Sequence, residues 1–207
     1  MDLLEPLTTL QEKRKIFHSE ADFQFALAWE IQQQYPHYHV RLEYCPEEAP
    51  NMHIDILVFT PDGAIPIELK YKTIKTSIVI DGEKYLLRNH GAQDIGKYDF
   101  LADIQRLEWL SNHFRGYIKG YVLWLSNDTS YWTKPQRPHT VYEAFSVHHG
   151  AHKQGVMMWA AHAGAGTTKN RNQPITLIGN YDISWEHYSK IGEDRNSTFR
   201  YVLLPVK

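Results

Sequence analysis

Two acids and one lysine interrupt stretches that are otherwise apolar, and they are the residues of this chain best suited to chemistry. Asp55 stands within residues 54–59, and Glu68 and Lys70 stand within residues 67–71. A charge in a buried strand is costly unless it is paired or ligated. We therefore expect these three side chains to share one polar site.

Such a set has the composition of a metal site for phosphodiester cleavage. Carboxylates bind Mg²⁺ or Mn²⁺ and leave positions open for water. The metal polarises the phosphate and lowers the pKa of a bound water, and a lysine beside it stabilises developing charge. We predict Asp55 and Glu68 as metal ligands, the backbone carbonyl of Leu69 as a further ligand, and Lys70 as the catalytic cation.

Local patterns predict the elements that must position this set. Ser19, with Asp22 three residues on, matches a capping box and predicts a helix start, and Pro36 predicts the helix end near Tyr35. Residues 1–18 are expected to be a short polar lead-in. A second helix is predicted from a stripe at helical spacing: Tyr98, Leu101, Ile104, Leu107 and Leu110. Strands are predicted at 39–44, 54–59, 65–71, 120–125, 156–160, 175–185 and 199–206, with a hairpin around Asp81-Gly82.

The turn between the second and third strands decides whether the site can form. Glu68 and Lys70 are two residues apart, so they leave the same face of a strand. A two-residue Pro61-Asp62 loop would pair Thr60 with Gly63 and hence Asp55 with Glu68. A three-residue loop would turn Asp55 to the other face unless a bulge corrected it. We predict the first pairing or such a bulge.

With these residues in this order of elements, residues 19–126 resemble the PD-(D/E)xK phosphodiesterase superfamily. The first aspartate of the superfamily motif matches Asp55. The acid and the lysine of its (D/E)xK part match Glu68 and Lys70. Some members add an acid from the first helix, for which Glu20 is the match. The literal Pro61-Asp62 pair lies in the turn and is not taken as the motif.

The resemblance implies an α/β, restriction-endonuclease-like mixed sheet flanked by helices, and the strands predicted after residue 130 add a β-rich C-terminal elaboration. It also implies a Mg²⁺-dependent endonuclease whose partner is nucleic acid, in particular DNA, in defence, restriction or repair. Many nucleases of this type dimerise, so a homodimer fits the resemblance. We expect one domain over residues 1–207, with a core at 19–126, an elaboration at 130–172 and closing strands at 175–206.

The elaboration is basic although the whole chain has a net charge of −2. Residues 130–172 hold five lysines and arginines and one acid, and Trp132 and Trp159 are interleaved with them. This composition fits two interpretations equally well: a nucleic-acid-binding surface, or a solvated loop whose tryptophans pack in the core. The candidate nucleic-acid contacts are Lys72, Lys153, Lys169 and Arg171.

Other interpretations compete with these. The charged trio would also fit a structural ion-pair cluster, and Glu20 would also fit a first-turn acid that stabilises the helix dipole. Gln93, Asp94 and Lys97 open the second helix, where a solvated helix start is favoured over a role in the cleft. A non-cleaving nucleic-acid- or partner-binding module is the alternative function, and a small-molecule hydrolase is a weaker one.

Composition excludes several classes of protein. Cys45 is the single cysteine, so no intramolecular disulfide can form. The N-terminus lacks the pattern of a signal peptide, and no apolar run has membrane-spanning length. We expect a cytoplasmic protein without a membrane partner.

Overall fold

A six-stranded mixed sheet lies at the centre of the computed structural model, which describes residues 1–207. The helices are α1 Leu4–Lys13, α2 Glu20–Gln34, α3 Gln93–His113, α4 Thr129–Trp132 and α5 Ala165–Thr168, with a 3₁₀ turn at Glu143–Phe145. The strands are β1 His39–Tyr44, β2 Ile54–Thr60, β3 Gly63–Lys72, β4 Thr76–Ile80, β5 Glu83–Leu87, β6 Gly120–Ser126, β7 His152–Met157, β8 Ile175–Asp182, β9 Glu186–Lys190 and β10 Thr198–Val206.

Strand order in the central sheet is β1-β2-β3-β6-β10-β9. The first three strands are antiparallel, β6 runs parallel to β3, and β10 returns antiparallel to β6. A parallel pair needs a long crossover, and here α3 supplies it. The predicted α/β class with a mixed sheet flanked by helices is confirmed.

Two hydrophobic cores cover the two faces of this sheet. One lies under α1 and α2 and includes Leu7, Phe23, Ile56 and Leu69. The other lies under α3 and the β7–β8 ribbon and includes Leu57, Phe100, Leu107, Val122 and Trp124. Because side chains alternate between faces along a strand, β2 and β3 contribute to both cores. None of the helices combines the length and apolar character needed to cross a membrane.

The turn between β2 and β3 has the predicted two-residue form. Thr60 pairs with Gly63, and the register continues to Ile56 opposite Ile67. Gly63 has φ +145°, and a Cβ there would lie 2.3 Å from the carbonyl oxygen of Gly116, so only glycine fits. The predicted pairing of Thr60 with Gly63 is confirmed without a bulge, and the ladder ends one residue before Asp55 and Glu68 would pair.

Helix boundaries also follow the predicted local signals. The Ser19 hydroxyl accepts a hydrogen bond from the Asp22 N–H, and α2 ends at Gln34, just before Tyr35 and Pro36. Asp81 and Gly82 both have positive φ in the β4–β5 turn, as a two-residue hairpin loop requires.

Three details of the prediction are wrong. Residues 1–18 are not a polar lead-in, because Leu3, Leu7 and Leu10 recur at helical spacing and α1 buries them against α2. The strand predicted at 156–160 is β7, which begins at His152. The segment 175–185 is broken after Asp182, and β9 forms a separate strand that joins the central sheet.

Replacing Leu7 with alanine tests whether α1 belongs to the folded core. Leu7 is 1% exposed, so we expect the free energy of unfolding to fall by about 2–5 kcal/mol through lost burial and a cavity. Urea denaturation would measure the change. Glu12→Ala on the exposed side of α1 is the control, and equal stability of Leu7→Ala and wild type would contradict the assignment.

Candidate active site

The pairing of β2 with β3 stops at Ile56 and Ile67, and the chemically active residues follow at once. Beyond this point the N–H groups of Leu69 and Tyr71 point to an edge of β3 with no strand partner. A carboxylate oxygen of Asp55 accepts the Leu69 N–H at 2.5 Å, and Glu20 accepts the Tyr71 N–H at 2.7 Å. Two acids therefore take the place of the missing strand backbone.

Glu68 and Lys70 lie on the face of β3 that α3 covers, and α3 supplies charges that match them. The Lys70 ammonium forms an ion pair with Asp103, and the Arg106 guanidinium forms one with Glu68. Arg106 also lies 3.6 Å from the second carboxylate oxygen of Asp103. The four side chains form one chain of alternating charge between sheet and helix.

Burial dominates the electrostatics of the two acids on the sheet. Burial raises the pKa of Asp55 to about 6, although the Leu69 N–H favours the ionised form. Glu68 is 1% exposed. Its burial and the nearby charge of Asp103 hold its pKa well above the usual range, against the opposing effect of Arg106. Burial therefore disfavours the ionised form of both carboxylates, and a nearby cation would stabilise that form.

Lys70 behaves in the opposite way. Burial opposes its charged form, yet the charge and hydrogen bond of Asp103 outweigh burial and raise its pKa above the ordinary value. The lysine is therefore cationic at neutral pH. Its ammonium is fixed in place by a partner that comes from another element.

Asp103 and Arg106 were missed from the sequence, although a signal for them exists. Asp103 lies three residues after Phe100 and four before Leu107, both fully buried. It therefore interrupts the apolar stripe of α3 just as Asp55 interrupts β2. Arg106 lies one further turn along the same side.

The oxygen atoms of the site fit a hard divalent cation. The Oε1 atom of Glu68 is buried and has no hydrogen-bond donor, and an ionised carboxylate oxygen can only accept. Asp55 uses one oxygen for Leu69 and keeps the other for a second ligand. The N–H and C=O of a strand residue point to the same side, so the Leu69 carbonyl faces the gap beside Asp55.

The structure brings no three acids, histidines or cysteines together in an arrangement that could hold a metal. A cation would thus depend on two carboxylates, the Leu69 carbonyl and water. Glu20 does not join Asp55 and Glu68 in a three-acid group. Its carboxylate serves Tyr71 and lies 3.4 Å from the Lys72 ammonium.

The predicted nucleic-acid contacts are not gathered into one surface. Lys72 lies beside the site, but Lys153 is buried and donates to the Ala144 carbonyl at 2.9 Å. Arg171 makes two hydrogen bonds to Asp99, at 2.6 and 2.9 Å. Lys169 is exposed. Lys153 and Arg171 are therefore already engaged within the protein.

The tryptophans of this region pack against the core. Trp159 stacks on Tyr98 with ring centroids 5.6 Å apart, and Trp132 packs on Trp185 at the same distance. Lys97, expected at a solvated helix start, is instead 2% exposed. It lies one turn into α3, where its ammonium faces the rings of Tyr131 and Tyr142.

Comparison with protein-family models, curated proteins and solved structures found no match to this chain. Function is therefore inferred from the geometry of the site.

The raised pKa of Asp55 predicts a stability difference that depends on pH. Between about pH 4 and 6 the folded carboxyl keeps its proton while the unfolded one loses it. The Asp55 carboxyl therefore contributes stability that is lost as pH rises through this window, and Asp55→Asn lacks this contribution. In metal-free buffer we expect the free energy of unfolding of Asp55→Asn, relative to that of wild type, to rise by on the order of 2 kcal/mol from the lower to the upper end of the window.

Urea denaturation at both ends of this window would measure the effect. Leu7→Ala is the control, because it removes no titrating group and its stability difference should be equal at both pH values. A difference for Asp55→Asn that stayed constant with pH would contradict the assignment.

Proposed function

We propose that this protein is a Mg²⁺- or Mn²⁺-dependent nuclease of the PD-(D/E)xK type. One observation carries the proposal. Asp55, Glu68 and Lys70 converge where β2 and β3 separate, and the buried Oε1 atom of Glu68 has no donor within the protein. An acceptor without a partner costs free energy when it is buried, and a bound cation would satisfy it.

The order of elements supports the same proposal. Helix α2, strands β1–β3, helix α3 and strand β6 occur in the order that the resemblance implies, with the β4–β5 hairpin between β3 and α3 and the charged residues on the second and third strands. The finer fold that we propose is therefore restriction-endonuclease-like. DNA as substrate, a homodimer, and a role in defence, restriction or repair follow from the resemblance alone.

In this mechanism the carboxylates bind the metal, and the cationic side chains interact with the phosphate. Asp55, Glu68 and the Leu69 carbonyl would hold the metal, which when bound activates a water and polarises the phosphate. Lys70, held by Asp103, presents a fixed cation to the phosphate oxygens, where charge develops. Arg106 neutralises Glu68 in the absence of metal, and it would be free to contact phosphate if a metal took that role.

A second candidate is a non-cleaving module that binds nucleic acid or another partner. The observation that favours it is the internal balance of charge: Glu68 and Asp103 are matched by Arg106 and Lys70. An ion-pair cluster of this kind is stable without metal. Metal binding distinguishes the two candidates.

Substitution at the site tests cleavage. With Mn²⁺ present, we expect Glu68→Gln and Lys70→Met each to slow the nicking of supercoiled plasmid by about 100-fold or more, because each removes a group that stabilises the transition state. The control is Asp62→Asn in the exposed turn, which should cut like wild type. Circular dichroism would verify folding, and full activity in both site variants would contradict the proposal.

Arg106→Gln gives a sharper test, because it should change binding and cleavage in opposite directions. Removing the guanidinium frees Glu68, so Mn²⁺ should bind several-fold more tightly by calorimetry. Cleavage should slow, because a cation at the phosphate is lost. If wild type and Arg106→Gln both failed to bind Mn²⁺, the non-cleaving module would be the better assignment.

A further inference from the structure

A second polar cavity opens beyond the C-terminal end of β6, and none of its lining residues is Asp55, Glu68 or Lys70. Its volume is about 780 Å³, and fifteen residues line it. Four of the fifteen are lysine or arginine and none is aspartate or glutamate: Lys97, Lys134, Arg137 and Arg195. We call this cavity the Lys97 pocket. In a chain of net charge −2, it concentrates positive charge.

Lys97 is the buried member of this set, and its ammonium lacks a partner. The side chain is 2% exposed, and no carboxylate lies within ion-pair distance of it. Its Nζ atom lies 4.2 Å from the ring centroid of Tyr142, which also lines the cavity. Burial lowers the pKa of Lys97 to about 8, against the weaker charges of Asp128 and Asp94.

Two other largely buried lysines each have a polar partner that Lys97 lacks. Lys70 is paired with Asp103, and Lys153 donates to the Ala144 carbonyl. Lys97 makes neither kind of contact, and its ammonium has only the rings of Tyr142 and Tyr131 nearby, with centroids at 4.2 and 5.9 Å. A buried cation without a counter-ion is costly, and an anion bound in the cavity would supply one.

The donors around the cavity favour a phosphate group over a smaller anion. Arginine and lysine are joined there by hydroxyl side chains, at Thr129, Ser130, Thr133 and Thr140. A phosphate carries one or two charges and has oxygens enough to accept from several such donors at once. A single carboxylate would leave most of these donors unused.

We propose that the Lys97 pocket binds a phosphate group, with the Lys97 ammonium at its floor and Arg137 and Arg195 at its exposed rim. The phosphate belongs either to a nucleic-acid strand or to a free phosphate compound. Lys97 precedes Asp103 by six residues on α3, about 9 Å along the helix. If the proposed nuclease function holds, a strand at the candidate active site would pass close to the pocket.

Calorimetric titration of the full chain with inorganic phosphate, in the presence of EDTA, tests the proposal. Wild type should bind saturably, and Lys97→Met should weaken the Kd at least about tenfold, as expected for loss of a charged hydrogen bond. Lys84→Met is the control, since it removes an exposed lysine of β5 that does not line the pocket, and it should bind like wild type.

Arg195→Gln at the exposed rim should also weaken phosphate binding. This variant keeps the test valid even if Lys97→Met misfolds. Absence of saturable binding by wild type would overturn the proposal. Equal affinity of wild type, Lys97→Met and Arg195→Gln would overturn it as well.

A competition experiment identifies the carrier and separates this inference from the nuclease proposal. A short single-stranded oligonucleotide that displaces inorganic phosphate from wild type, but binds Lys97→Met more weakly, identifies a strand as the carrier. Failure to displace it identifies a free phosphate compound. Glu68→Gln should bind phosphate like wild type, so a failure of the cleavage proposal leaves the pocket proposal standing. Loss of phosphate binding in Glu68→Gln would show that the pocket is not independent of the candidate active site and would contradict the proposal.

Discussion

The separation of β2 from β3 after Ile56 and Ile67 is the constraint on which the rest of the site depends. It leaves backbone N–H groups of β3 facing a gap rather than a strand, and buried N–H groups require acceptors. Asp55 and Glu20 supply them through their carboxylates. The same bonds tie β2 and α2 to β3. They also hold the Asp55 carboxylate in a half-buried gap, where a cation has oxygen atoms to bind.

Helix α3 then determines whether the buried charges can be tolerated. It contributes apolar side chains to the core and, one turn apart, Asp103 and Arg106. Removing one member of such a buried pair is far more costly than the pair is stabilising, so the four charges act as a unit. The unit keeps Lys70 cationic and Glu68 compensated, and a metal must compete with Arg106 for Glu68.

Much of this arrangement could be predicted because the signals are local. Strand periodicity identified β1, β2, β3 and β6, and the Pro61-Asp62 turn determined the register of the β2–β3 pairing, which ends next to Asp55 and Glu68. The cap at Ser19 placed the start of α2. Helix α1 carried an equally local signal in its leucines, and the polar residues between them obscured it. Turn chemistry and side-chain period act over a few residues, so they can be recognised without knowing the fold.

The sequence by itself therefore determined strands β1, β2, β3 and β6, the turn between β2 and β3, and the shared face of Asp55, Glu68 and Lys70. Only the tertiary structure decided their partners. Asp103 meets Lys70 from 33 positions away in the sequence, because the rotation of α3 about its axis is set by packing on the sheet rather than by local pattern. The surroundings of Lys97 are set in the same way, since the Tyr131 and Tyr142 rings that it contacts come from beyond β6. Long-range packing fixes which charges are compensated, and the local sequence carries no record of that choice.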